Sequence, residues 1–489
     1  MNSSQDTALS LSLWRDRRFI RFWAGQSVSQ FGDRISELAL PLIAVVALHA
    51  SAGQVAWLTA LAWAPNLLAI VLGAWVDHRV HKRRLMILAD LLRACVLLTL
   101  PAAYLLGIVT LLQLYAVALL TGAAAVLFNT AYPPFFAHLV PRSSYVDANS
   151  KLSASRSVSF VVGPAVGGAL VQALTAPVAV MADALSFLAS AVLLRPIRVE
   201  EPAVAADPAG PPLLRRAKEG LVFVIRHPVL RASLGCATTL NFFTFMSGTG
   251  LTVLFAVQVL GLSAGTIGLA FGISSTGALA GAVIAPKLSR RIGVGRSTAA
   301  GAVLFPAPIA IAATASGPTW ARAGALGAAQ FLSGIGVMLF DVNLNSLQTA
   351  VIPDGMRSRV AGAYSTVNYG IRPIGALVGG VLATHFGLRT TLITAAVGGT
   401  LSLLWLLPSA IPRIRSLTPD DLIAADGDTV VEGEAPSAGG AAVAQAHQFD
   451  PFAVGQFAFH VGELPAVADV QVRQLRLGGA GVFGQPLGE

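Results

Sequence analysis

Apolar residues along this chain arrive in long blocks, without the two- or three-to-four-residue alternation of half-buried strands and helices. Residues 54–76, 108–137, 266–286 and 390–410 contain no charged side chain. Each block reaches or exceeds the ~20 residues that a helix needs to cross a bilayer. The pattern predicts twelve helical spans, near 22–48, 54–76, 85–107, 110–136, 152–173, 177–194, 232–259, 266–286, 297–316, 320–341, 360–384 and 388–410.

Polar stretches punctuate the blocks unevenly. The longest interruption inside the apolar body, 196–228, separates six spans from six. Its first part is a Pro/Ala-rich linker. Its second, 213–226, mixes basic residues with Leu221, Val222, Val224 and Ile225 and stops before Pro228. This predicts a short helix on the membrane surface with its basic side toward anionic headgroups. Beyond Pro412 the composition changes. Residues 417–440 are acidic and rich in Ala and Gly, a disordered composition, and 456–461 and 470–477 alternate like strands too few to stand alone.

The two sets of six share a repeat. Residues 140–171 fall on 352–383 under a shift of 212 positions without a gap. Pro141 meets Pro353, and Gly163, Gly167 and Gly168 meet Gly375, Gly379 and Gly380. A second echo places Gly73-Ala74, before Lys82-Arg83-Arg84, over Gly281-Ala282, before Arg290-Arg291. Two echoes at nearly one offset indicate a duplicated half. The run Gly163-Pro164-Ala165-Val166-Gly167-Gly168 lets a neighbouring backbone approach closely, as small residues do between membrane helices. The expected fold is all-α: a polytopic membrane protein with twelve transmembrane helices in two pseudo-symmetric six-helix bundles. The expected division is 1–195, a central loop 196–231, 232–410, and a mostly disordered tail 411–489.

Composition agrees. The chain is 55% hydrophobic and 12% charged, with a mean hydropathy of +0.70, against about 25% charged residues in soluble domains. The net charge of +9 could suggest nucleic acid, but its placement points to topology instead. Assigned to alternate sides of twelve spans, 25 Lys and Arg fall on one side and only Arg322 and Arg389 on the other. The positive-inside rule then puts both termini in the cytoplasm. Cys95 and Cys236 both fall inside spans and are expected to be small core hydrophobes.

Charges inside the bilayer are the candidate chemistry. Span 1 carries Asp33, Arg34 and Glu37 near its middle, and each costs about 2.5–3.5 kcal/mol if left uncompensated. Asp33 and Glu37 are four apart on one helical face, with Arg34 beside them. One reading is an internal ion pair that makes the span tolerable. The other is a proton-coupling site, since adjacent carboxyls seldom ionise together. Asp183 in span 6 and Arg372 in span 11 are the next candidates for the coupling site or substrate cavity. Asp90, Arg93, Arg156 and Asp341 are expected nearer the cytoplasmic face, in structural or gating pairs. Trp57, Trp63, Phe242, Phe243, Phe245 and Phe255 suit packing or the wall of an apolar cavity.

The 6+6 duplication, the basic 2–3 loop and Gly-Pro-x-x-Gly-Gly in span 5 together resemble the major facilitator superfamily. Within it the chain is most similar to bacterial drug and siderophore exporters of the macrolide-efflux type. The supporting residues are Phe22-Trp23-Ala24-Gly25-Gln26 with Gly32-Asp33, Val140-Pro141 with Ala148-Asn149, and Glu219-Gly220 with Arg226-His227-Pro228. The likeness covers about 11–410. It departs from the family pattern in the 2–3 loop, where His78 follows Asp77 and the basic run comes late, and in span 4, which lacks an Arg. By resemblance, Gly73, Asp77, Arg79, Lys82, Arg83 and Arg84 form a gate in which Asp77 meets the start of span 11 around Arg359–Gly362. Ala285 stands at the matching place of the second half, so such a latch is one-sided.

The resemblance implies a secondary active exporter of a lipophilic or amphipathic small molecule (a drug, antibiotic or siderophore-like compound), driven by proton antiport through alternating access. A lipid or lysolipid flippase on the same fold stays open as the alternative. The implied setting is the cell membrane, plasma or inner, with a monomer contacting substrate, protons and membrane lipids and binding no nucleic acid. No cofactor, metal or enzymatic activity is expected. ATP drive is disfavoured because none of Lys82, Lys151, Lys218 or Lys287 follows a glycine, as a phosphate loop requires.

Overall fold

The computed structural model describes residues 13–416 apart from 70–71, 73–74, 77–80, 142–143, 200–212 and 354–355. The expectations for the tail beyond 416 lie outside the described residues. The chain folds as twelve membrane-crossing helices in two pseudo-symmetric groups of six. Spans 3 to 10 are long and apolar enough to cross by length and composition alone. They are Lys82–Leu105, Leu111–Leu139, Asp147–Leu174, Ala176–Leu194, Pro228–Gln258, Ala264–Ile292, Val294–Thr314 and Thr319–Val351.

The other four spans each carry an irregularity visible in the sequence. Span 1 is Arg17–Leu42 followed by a π-helical turn, Ile43–Ala47, just past Pro41. It holds the three mid-span ionisable groups. Span 2 starts as Ala52–Trp63 and tightens into a 3-10 turn, Ala64–Leu68, at Pro65. Span 11, Arg357–Phe386, contains Arg372. Span 12 runs Leu388–Thr400 and ends in a 3-10 turn, Leu401–Trp405. The even number of crossings brings the start of span 1 and the end of span 12 to one face, the terminal face. The opposite one is the far face.

Several helices outrun their apolar blocks. Span 5 starts at Tyr145, seven residues before the first apolar position expected, and span 10 runs to Val351, ten residues past the expected end. The extra turns are polar and emerge at the terminal face. Helical hydrogen bonding continues into the headgroup zone, where charged side chains meet water, so a hydropathy boundary stops short of the helix end. On the far face, the helices begin with caps. Ser51 and Gln54 form a reciprocal capping box, and Thr110 and Ser263 accept from the backbone N–H of Gln113 and Thr266. Cys236 is buried as expected, but Cys95 is exposed on the outside of span 3. A thiol needs no protein partner on a surface that faces hydrocarbon.

The repeat read from the sequence appears in the backbone. Thr175 joins spans 5 and 6 with φ 84° and ψ 153°; Gly387, 212 positions on, joins spans 11 and 12 with φ 84° and ψ 161°. The glycine clusters do matching work as well. In span 5, a Cβ on Gly167 would lie 3.1 Å from the Ile35 Cα of span 1, and one on Gly168 only 2.7 Å from the Gly268 Cα of span 8. In span 11, a Cβ on Gly379 would lie 2.9 Å from the Met246 Cα of span 7, and one on Gly380 would be 3.3 Å from the Gly53 Cα of span 2. Gly375 presses likewise on Phe242. In each copy the first glycines seat the helix inside its own half, and the last seats it against the other half.

The halves therefore meet through spans 5 and 8 and through spans 2 and 11, with the outer part of span 7, Thr249–Gln258, touching spans 1 and 2. The glycine contacts lie toward the far face. Hydrogen bonds join the halves there, from Gly265 N to Gln172 Oε1 at 3.2 Å and, at mid-span, from Ser275 Oγ to Phe160 O at 2.6 Å. The helix after the central loop, Leu213–Arg226, lies across spans 7 and 11 at the terminal face. Val224 is fully buried, Gly220 rests on the Arg359 backbone, and Glu219 accepts from Arg359 at 3.0 Å. Arg215, Lys218, Val222, Ile225 and Arg226 remain exposed on its other side.

Candidate functional site

The mid-span charges of span 1 divide between two environments. Arg34 donates to Glu37 at 2.6 Å, one helical turn on, and its guanidinium stacks over Phe160 of span 5 at 4.9 Å. Gly163 makes this possible, since a Cβ there would stand 2.5 Å from the Arg34 Cβ. The pair borders a cavity of about 100 Å³ between the halves, walled by Phe160 and Pro164 of span 5, Thr249 of span 7, and Phe271 and Ser275 of span 8. Asp33, one residue before Arg34, is exposed. Its strongest charged neighbour is Arg93 of span 3, ahead of Arg34 and Glu37.

Arg93 anchors a second group that connects to the first through Asp33. It is buried, with its guanidinium 4.9 Å from the Phe187 ring of span 6 and 5.4 Å from the Phe128 ring of span 4. Asp90, one turn before it, is wholly buried, and neither of its carboxyl oxygens has a hydrogen-bond partner. The Ser190 hydroxyl faces Asp90 but stays outside hydrogen-bond geometry. Asp183 of span 6 is 1% exposed, accepts from Ser186 at 3.2 Å, and has Asp33 and Arg93 as its charged neighbours. Gly32 leaves room for this, because a side chain there would collide with Asp183 and Ser186. Three carboxyl groups, Asp33, Asp90 and Asp183, thus lie in the electrostatic range of one buried guanidinium, with none of them at salt-bridge distance from it.

The structure places Asp90 and Arg93, read from the sequence as structural or gating groups near one face, in the electrostatic range of Asp33 and Asp183. Their spacing of three residues on span 3 was the available signal. Spacing along one helix says nothing of which other helix it faces.

Arg372 sits apart, in the second half. Its Nε donates to Asn241 of span 7 at 2.9 Å. Its guanidinium lies 4.3 Å from the Tyr369 ring, 4.4 Å from Trp63 and 4.8 Å from Phe245. Trp63 comes from span 2, so rings from both halves enclose one cation. Phe245 also borders a cavity of about 180 Å³ among spans 7 to 10 and span 12, with Ser247, Thr252, Gln330 and Ser333 among its polar lining. The structure does not bring Arg372 together with Asp183; they lie in different halves.

Of the expected gate, Gly73, Asp77 and Arg79 lie outside the described residues. Lys82 is buried and donates to the Val76 carbonyl; Arg83 donates to the carbonyls of Arg195, at 3.1 Å, and Ile197. These two cations cap the ends of spans 2 and 6 within the first half, where helix carbonyls lack partners. Arg84 is exposed.

Residues 22–376 match the sequence profile of the Major Facilitator Superfamily. The multidrug efflux pump Tap of Mycolicibacterium fortuitum is 25% identical over 411 residues, which are 79% of this chain and 93% of that protein. An uncharacterized MFS-type transporter of Bacillus subtilis (strain 168), YfiS, is 26% identical over 74% of this chain and 86% of its own. Among solved structures, a bacterial homologue of the iron transporter ferroportin in its inward-facing state superposes with a TM-score of 0.64 at 17% identity, over 81% of this chain and 99% of that one. The outward-facing state of a bacterial ferroportin homologue gives 0.52 at 17% identity, over 80% and 98%. With a profile match across most of its length and the same twelve-helix fold, the chain belongs to the major facilitator superfamily: it is a multi-pass membrane transporter of small molecules and not an enzyme.

Proposed function

We propose that this transporter is a secondary active exporter of a lipophilic or amphipathic small molecule, driven by proton entry through alternating access. The cluster of exposed Asp33 with buried Asp90 and Asp183 around buried Arg93 carries the reading. Three carboxyls in the electrostatic range of one guanidinium, two of them buried, leave negative charge that a proton can neutralise, and uncompensated charge in the interior is costly. Asp33 links this cluster to the Arg34–Glu37 pair, and that pair borders the cavity between the halves. A protonation change is thereby one residue away from a surface a substrate could touch. Export, rather than import, is supported by the likeness to Tap.

In this account 1–195 and 232–410 are the moving units, joined by 196–231, the setting is the cell membrane, and both termini are cytoplasmic, an orientation that the Lys and Arg distribution supports. Contacts between the halves gather toward the far face, the geometry of a state shut on that side. Asp77 then acts as the latch of the opposite state.

The test is transport by proteoliposomes holding the purified protein, with a panel of macrolides, cationic dyes, siderophores and a fluorescent lysolipid, with and without an imposed pH gradient. Accumulation of at least one soluble compound only under a gradient supports the exporter. Gradient-independent movement of the lysolipid alone would overturn it in favour of a flippase.

A further inference from the structure

Arg372 has the environment of a receptor rather than of a structural ion pair. Its ring contacts cover the faces of the guanidinium, and its single hydrogen bond, to Asn241, uses Nε. The two terminal nitrogens make no hydrogen bond with any described residue. Among the described residues no carboxylate lies within salt-bridge distance; Asp341, an acid in its electrostatic range, stands beyond it. A cation inside the apolar body of a membrane protein with uncommitted donors is costly and marks a substrate or ion path.

We infer that Arg372 is the docking site for the acidic group of the transported molecule, a carboxylate or a comparable planar anion carried on an apolar or aromatic body. The in-plane edge formed by the two terminal nitrogens matches a carboxylate in a two-bond fork, a geometry lysine lacks. Asn241 holds Nε and so fixes which edge is presented. Trp63, Phe245 and Tyr369 hold the planar guanidinium in place, and their remaining ring surface suits the apolar body. Because Trp63 belongs to the first half and the others to the second, the site is complete only while the halves touch here. A substrate released from it would leave as they part. This deepens the exporter reading, on which it rests for the existence of a substrate, by naming the substrate's charge.

The experiment is an equilibrium titration of the purified full-length protein with three fluorescent probes that share one body: 1-pyrenebutyrate, its methyl ester and 1-pyrenebutylamine. Energy transfer from tryptophan to pyrene reports binding. The acid is expected to bind about tenfold more tightly than the ester, the worth of a charge-assisted hydrogen bond or two, and more tightly than the amine. Arg372→Gln is expected to erase the preference, and Arg372→Lys to keep only part of it. Equal binding of acid and ester by the unsubstituted protein overturns the assignment, as does a full preference in Arg372→Gln. The comparison among probes needs no variant, so a poorly folded variant leaves the test intact. No gradient is applied, so an anion preference without proton-driven export would count against the coupling mechanism alone. Proton-driven export without the preference would count against Arg372 alone.

Discussion

Arg93 is the buried residue on which the acid cluster balances. Its flat guanidinium is held between Phe187 and Phe128, and it is the charged neighbour that Asp33, Asp90 and Asp183 have in common. Two properties are therefore separable by substitution. Arg93→Lys keeps the charge but loses the stacking, so it should lower thermal stability by about 1–2 kcal/mol while gradient-driven transport survives. Arg93→Gln leaves Asp90 and Asp183 without their neighbouring cation and should cut gradient-driven transport by about tenfold or more at equal protein in the membrane, a barrier change of about 1.4 kcal/mol. Thermal shift and proteoliposome uptake measure the two; an Arg93→Gln protein that pumps normally would show that the cluster is structural. At this scale the sequence was legible for span 1, because three charges in an apolar block stand out whatever surrounds them. The sorting of Glu37 toward the cavity and Asp33 toward Arg93 was not, since it depends on spans 3, 5 and 6 packing around span 1.

Glycine positions decide how the helices cross. Gly168 and Gly268 bring spans 5 and 8 to backbone contact, so a side chain at either has nowhere to go. Gly268→Leu should wedge the halves apart on the far face and shift the population toward the state open there. Cysteine reporters placed on the two faces should show greater labelling on the far face and less on the terminal face. Unchanged labelling on both faces would mean that this crossing does not seal the protein. Gly324 offers the control: no atom outside its own helix lies within 4 Å of where its Cβ would be, so Gly324→Ala should leave the labelling as it is. The repeat made Gly163, Gly167 and Gly168 visible as a set with Gly375, Gly379 and Gly380, because close approach admits few alternatives to glycine. The partner of Gly168 lies 100 residues away outside the repeat, so no spacing could reveal it. Polar helix ends were missed for a different reason: hydropathy measures the hydrocarbon, and helices do not stop where the hydrocarbon does.

Taken whole, the molecule has two chemically unlike halves on one duplicated frame. The first buries an excess of carboxyl groups, and the second holds a lone guanidinium in aromatic rings. The duplication explains the matching backbones at Thr175 and Gly387; the ionisable groups differ between the halves, which is why the repeat foretold the frame and not the site. The central claim is that protons drive transport through Asp33 and Glu37, with the Arg93 cluster behind them. The most direct measurement compares uphill uptake under a pH gradient with downhill exchange in the same proteoliposomes, for the unsubstituted protein, Asp33→Asn and Glu37→Gln. Neutral isosteres still fit and still accept hydrogen bonds, so the account predicts that at least one substitution abolishes uphill uptake while exchange continues at close to the original rate. Uphill uptake at unsubstituted rates in both variants would contradict it, as would the joint loss of uptake, exchange and thermal stability that a purely structural ion pair requires.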